Sequence, residues 1–185
     1  MSNVRPQRGI PTARNVDHTA FTVPNLDEAI SFFVEILGGE LLYQFGPIGD
    51  PQGDFMARQL NVDAKARCRI AMIRLGPVTN IELFEYDASD QRRELPRNSD
   101  WGGHHLAIYV DDIEAALAYL REQTGVTILG EPQLIKNGPI AGNRWIYVLA
   151  PWGLQLEIMW MPPGAPYEKD TPARLYGPAT AWDDR

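Results

Sequence analysis

Apolar and polar residues alternate along 16–23 and again along 103–110, the period of strands with one buried face. After each stretch the period changes. Leu26, Ile30, Phe33 and Leu37 recur at helical spacing, and so do Ile113, Leu117 and Leu120. Asn25, and Asp111 or Asp112, stand where helix N-caps belong, with acidic residues in the first turn. Gly38-Gly39 and Gly125 supply the stops. Three more strands follow each helix: 40–45, 66–75 and 78–86 in the first half, then 126–129, 143–150 and 154–160 in the second. Each half therefore reads βαβββ.

The halves are copies. His18 falls on His105, Ala20 on Ala107, Val23 on Val110 and Ile30 on Leu117, always 87 positions apart. The last strands also match, Asn80-Ile-Glu82-Leu against Gln155-Leu-Glu157-Ile, at an offset of 75. The twelve extra residues of the first half belong to its 46–65 segment. These patterns divide the chain into an N-terminal arm (1–13), a first module (14–87), a polar linker (88–102), a second module (103–161) and a Pro-rich tail (162–185). The fold class expected is α+β, with two tandem modules making a curved mixed sheet.

Alternation also sets direction. Phe21 and Val23, and Leu106, Ile108 and Val110, should pack beneath the helices. His18 and His105 then share the other face with Ala20, Thr22, Ala107 and Tyr109. On the last strands Glu82 with Phe84, and Glu157 with Gln155 and Met159, are opposed by Ile81, Leu83, Leu156 and Ile158. A carboxylate between apolar residues of a half-buried sheet is costly unless paired or coordinated. Two His and two Glu at repeat-equivalent positions make a metal site of hard-to-borderline character, suited to Zn, Ni, Co, Mn or Fe. His104 and Glu85 alternate away from this face, the first towards the surface or behind the ligands, the second towards solvent or a salt bridge.

Composition narrows the classes. The chain has 185 residues, of which 44% are apolar and 22% charged, enough apolar mass for a real core. A net charge of −7 argues against a nucleic-acid partner. The single cysteine, Cys68, excludes an intrachain disulfide framework and a Cys-rich zinc site. No apolar run approaches a membrane span, and 1–14 has no apolar signal region, so the expected setting is cytoplasmic.

The segments Val16-Asp-His18-Thr-Ala-Phe-Thr-Val, Asn80-Ile-Glu82-Leu, Gly103-His-His105-Leu-Ala-Ile-Tyr-Val and Gly153-Leu-Gln-Leu-Glu157-Ile resemble the vicinal oxygen chelate superfamily. That group includes glyoxalase I, methylmalonyl-CoA epimerase, extradiol dioxygenases and fosfomycin and bleomycin resistance proteins. The resemblance covers about 14–161 and implies one divalent metal per site, held by His18, Glu82, His105 and Glu157, often within a homodimer. The full His/Glu/His/Glu set looks most like glyoxalase I. It implies an isomerase, epimerase or lyase that moves a proton beside a carbonyl through a metal-bound enediolate, with Glu157 or Glu82 as base. Two other readings go with the same superfamily. One is an Fe(II) or Mn(II) ring-cleaving dioxygenase, which would use His18, His105 and Glu157; the other is a non-catalytic small-molecule binding or resistance protein.

For the small carbonyl substrate, Phe84, Tyr109 and Met159 are expected to line a moderately apolar pocket. Arg144, in a Gly-rich loop entering strand seven, is the candidate anchor for a carboxylate or phosphate. One of Cys68 and Arg69 must face inward. The 46–53 and 136–142 loops are candidate lids.

Overall fold

The computed structural model describes residues 10–182. Its first sheet has strand order β1-β4-β3-β2: β1 Thr19–Thr22, β2 Glu40–Gly49, β3 Arg67–Leu75 and β4 Thr79–Asp87. The second repeats it as β5-β8-β7-β6: β5 Leu106–Tyr109, β6 Thr127–Leu134, β7 Arg144–Leu149 and β8 Gln155–Trp160. In each sheet the first strand runs parallel to the fourth and the other pairings are antiparallel. The expected tandem βαβββ architecture is the one observed.

The helices begin where the caps direct. Asn25 Oδ1 accepts the Glu28 N–H at 3.0 Å and starts α1 (Leu26–Ser31); Asp112 Oδ1 accepts that of Ala115 at 3.1 Å ahead of α3 (Ile113–Arg121). The first helix does not stay α-helical to its end. It widens into a π turn over Phe32–Ile36, with the Leu37 N–H reaching the Phe32 carbonyl. The wider turn buries both Phe32 and Phe33, and Phe32 meets Trp152 of the second module edge-on with ring centres 5.2 Å apart.

The residues facing the helices from both sheets form one core. Phe21, Val23, Leu26, Phe33, Ile73, Ile81 and Leu83 join Ile113, Leu117, Ile146, Val148, Leu156 and Ile158 in a single buried cluster. The modules are therefore packed through their helix-covered sides. The Tyr119 hydroxyl on α3 adds a hydrogen bond to the Ile36 carbonyl, 3.1 Å away.

The twelve extra residues contain a helix that periodicity did not reveal, α2 (Phe55–Leu60). Its Met56 is fully buried against Ala66, Cys68 and Ile70, with Phe84 and Tyr86 packed alongside. The 46–53 segment is thus no free lid. Its first part is strand β2, and Asp50 ties the rest by accepting from the Gly53 and Phe55 N–H groups. The 136–142 loop is pinned as well, through Gly142 N–H to Ile135 and Tyr167 N–H to Pro139. No described helix is long and apolar enough to cross a membrane. Most of the 1–13 arm lies outside the described residues.

Candidate active site

Register confirms the two offsets read from the sequence. Ala20 on β1 lies beside Glu82 on β4, and Ala107 on β5 lies beside Glu157 on β8. His18 and His105 each stand one position before their strand, so the same chain entry brings each imidazole over the neighbouring carboxylate. His18 Nε2 is 3.1 Å from Glu82 Oε2, and His105 Nε2 is 3.0 Å from Glu157 Oε2. Both carboxylates are about four-fifths buried, while both rings keep about a third of their surface open.

The first pair has a support the sequence did not advertise. Nδ1 of His18 is 2.9 Å from the Asp17 carboxylate, which raises the imidazole pKa, with Glu82 adding to the effect. With Nδ1 engaged by Asp17, Nε2 is the ring atom that points at Glu82. In the second pair the Tyr147 and His105 rings pack edge to face, with ring centres 5.3 Å apart. Tyr147 is the cross-strand neighbour of Glu157, and burial together with that carboxylate raises its phenol pKa.

Each His meets its own Glu, but the two pairs do not meet each other. Among the described residues no group of three or more His, Cys, Asp or Glu is arranged to hold a metal. The reason is the packing just described: a shared core on the helix-covered sides leaves the two His–Glu faces turned outward.

The remaining candidates divide between the faces. Phe84 shares Glu82's face, stacked on Tyr86 at 5.4 Å and packed with the α2 cluster. Tyr109 and Met159 are side by side on Glu157's face. Arg144 is not there. It shares a strand face with the core residues Ile146 and Val148, and its guanidinium is spent on Glu114 of α3 at 2.7 Å. The anion anchor expected from the loop is therefore a salt bridge on the helix side. Strand alternation puts Asn143, Trp145 and Tyr147 on the site face instead, a signal available in 143–150 that the attraction of the arginine obscured.

Cys68 is the inward member of its pair, hydrogen-bonded to Tyr86, and burial raises its thiol pKa. Arg69 turns the other way and bridges Asp27 at 2.7 Å and Glu85 at 3.3 Å. Glu85 also accepts the Leu26 N–H at the start of α1, a salt-bridged role as alternation implied. His104 stacks on Phe21 with ring centres 5.4 Å apart, away from His105.

Comparison with known proteins places this arrangement. The family model described as glyoxalase/bleomycin resistance protein/dioxygenase superfamily matches residues 15–158. A 2-epi-5-epi-valiolone epimerase of an Actinomyces species is 60% identical over 177 residues, 96% of either chain. Among solved structures, a glyoxalase family protein of Bacillus cereus aligns with a TM-score of 0.61 at 21% identity, covering 83% of this chain and 99% of its own. The trypanothione-dependent glyoxalase I of Leishmania major aligns at 0.52 with 22% identity, over 80% of this chain and 86% of that one, a likeness of fold. With two βαβββ modules, equivalent His–Glu pairs and a matching family model over most of its length, the chain belongs to the glyoxalase/bleomycin resistance protein/dioxygenase superfamily.

Proposed function

We propose that this protein is a divalent-metal-dependent epimerase that inverts a carbon next to the ketone of a polyhydroxylated cyclic ketone. The substrate to offer first is 2-epi-5-epi-valiolone. The observation that carries the reading is the duplicated couple, His18–Glu82 and His105–Glu157, held at equivalent registers with 3.1 and 3.0 Å between partners. The 60% identical relative supports epimerase chemistry over ring cleavage or passive binding, and supports this substrate class.

The donor set fits a metal in chemistry. Two imidazole nitrogens and two carboxylates suit Zn, Ni, Co or Mn, and a carboxylate on the far nitrogen of a ligating His is the usual support. It does not assemble within one chain. We therefore place the complete site across two copies, His18 and Glu82 of one subunit with the partner subunit's His105 and the partner subunit's Glu157. The first sheet offers apolar surface for such a contact: β2, at its edge, leaves Leu42, Tyr43 and Phe45 about half exposed.

The metal, when bound, supplies a Lewis acid for the ketone and the charge developing on its oxygen. The chain supplies the proton transfers. One carboxylate removes the proton from the carbon beside the ketone, the C–H electrons move towards the carbonyl, and a proton returns to the opposite face of that carbon. Inversion needs delivery from the other side, and Glu82 and Glu157, arriving from separate sheets, provide one carboxylate for each face. Phe84, Met159 and Tyr147 bound this face with apolar surface and limit the water that would compete for the proton.

The test is to follow 2-epi-5-epi-valiolone by proton NMR in D2O with protein of measured metal content. The expected result is one deuterium at the inverted carbon together with the epimeric product, lost on EDTA treatment and restored by Ni, Co, Mn or Zn. Absence of both exchange and product with every one of these metals overturns the proposal.

A further inference from the structure

We infer that the substrate's ring lies against the second module, where the Tyr147 hydroxyl binds one of its hydroxyls beside Glu157, and that Asn98 of the linker is the residue that positions Tyr147. This rests on the epimerase reading.

The two half-sites match in His and Glu but not in what surrounds them. Met72 is the cross-strand partner of Glu82, and Tyr147 stands in the equivalent register with Glu157. One same-face step along the strand, Ile70 beside Phe84 corresponds to Trp145 beside Met159. The first module thus presents a thioether and an alkyl chain where the second presents an O–H and an N–H. Access differs in the same sense. Met56 of α2 clusters with Ile70 and Phe84, and both Met72 and Ile70 are buried. In the second module β6 leads to β7 with no helix between them, and Tyr147 and Trp145 keep part of their surface open. A ring bearing several hydroxyls therefore finds donors on the second face and an apolar cover on the first.

Tyr147 is held by its neighbours. Its ring meets those of His105 and Trp145 edge to face, with centres 5.3 and 5.0 Å apart. The Asn98 side chain reaches its hydroxyl. Asn98 in turn sits in a tight bend of the linker: Asp100 accepts the Arg97 N–H at 2.9 Å and donates its own N–H to the Arg97 carbonyl at 2.9 Å. A phenol both donates and accepts, so one amide partner leaves it capacity for a second bond. With the ring already packed, that bond is made with little further loss of side-chain freedom. Arg144 is engaged by Glu114 on the other side of the sheet, which leaves no guanidinium of this strand for a phosphate or carboxylate. A neutral hydroxyl is the group that fits.

The experiment compares wild type with Tyr147→Phe, which keeps the ring and removes the hydroxyl, with Asn98→Ala, and with the double variant. Kinetics and saturation-transfer NMR binding of 2-epi-5-epi-valiolone are read on protein of measured metal content. Tyr147→Phe is expected to raise KM about tenfold, the scale of one hydrogen bond, with a smaller change in kcat and with wild-type metal content and melting temperature. Asn98→Ala should raise KM about threefold, and add nothing in the Tyr147→Phe background, because it acts through the hydroxyl. Additive effects in both backgrounds overturn its positioning role. Unchanged KM in Tyr147→Phe overturns the contact and leaves the epimerase reading intact, and loss of metal in place of a KM effect overturns it too. Should wild type bind the ketone without turning it over, the epimerase reading fails; weaker binding by Tyr147→Phe then still upholds the contact, and equal binding overturns it. No binding and no turnover by wild type overturns both.

Discussion

His105 Nε2 stands 3.0 Å from Glu157 Oε2, and a structurally equivalent pair, His18 and Glu82, recurs at 3.1 Å in the other module. The whole geometry is duplicated, backbone register included. Glu157→Gln and Glu82→Gln should each lower kcat/KM for the epimerisation by about a hundredfold or more, the range of general acid–base catalysis. His105→Ala should in addition lower the metal retained per chain, read by elemental analysis. Full activity in either Gln variant would remove that carboxylate from the chemistry.

Separation of the pairs within one chain gives a sharper test. A double variant His18→Ala/Glu82→Gln and a second, His105→Ala/Glu157→Gln, should each be inactive. Mixed under conditions that exchange subunits, they should recover about a quarter of wild-type activity, since half of the dimers formed are mixed and each of these holds one intact site of two. No recovery despite demonstrated exchange would place both halves of the site in the same chain.

Arg144 is engaged by Glu114 on the side away from Glu157. Arg144→Ala should therefore leave KM within about twofold, because the guanidinium does not face the site. Both partners are well exposed, so the cost in stability should be about 0–1 kcal/mol in a urea titration. A large rise in KM would return this residue to the substrate.

Cys68 is buried, and burial raises its thiol pKa above the ordinary 9.0; Tyr86 beside it is raised for the same reason. The folded protein thus holds these protons more tightly than the unfolded chain. Their contribution to stability is fully present below pH 9.0 and declines as pH rises through the elevated folded values. The urea midpoint should hold up to about pH 9 and fall above it, and fall less in a Cys68→Ala/Tyr86→Phe variant. At pH 7.5 a disulfide reagent should label Cys68 slowly until urea is added.

Trp182 donates its indole N–H to the Gly38 carbonyl at 2.9 Å, and its ring also lies against Gly76. The tail thereby closes on the first module after crossing the second. Trp182→Ala should cost about 1–3 kcal/mol, from one hydrogen bond and part of an aromatic surface, measured by thermal or urea unfolding.

Much of this was legible from residue order alone. The 87-residue repeat announced two modules, and the twelve-residue mismatch marked where the first is longer. That Met56 would fold into a helix over Cys68 and Ile70 was not legible, because six residues are too few to display a helical period. The π turn at Phe32 was hidden too. Its cause is the demand of Trp152 and Phe21 for two successive phenylalanines, a long-range contact that propensity does not encode. Arg144 misled because a cation in a Gly-rich loop resembles an anion site, whereas its strand parity, which points to Glu114, was the better guide.

The sequence by itself determined which side chains share a face. Strand period is two, so the placing of His18 with Glu82 and of His105 with Glu157 follows from alternation and the repeat. Tertiary structure alone decided that the two faces do not meet within the chain. Two modules with the same apolar pattern can bury their helix-covered sides together or enclose their polar faces, and pattern does not choose between these. The shared core of Phe32, Phe33, Leu117, Trp152 and Leu156 makes the choice, and turns both His–Glu pairs outward.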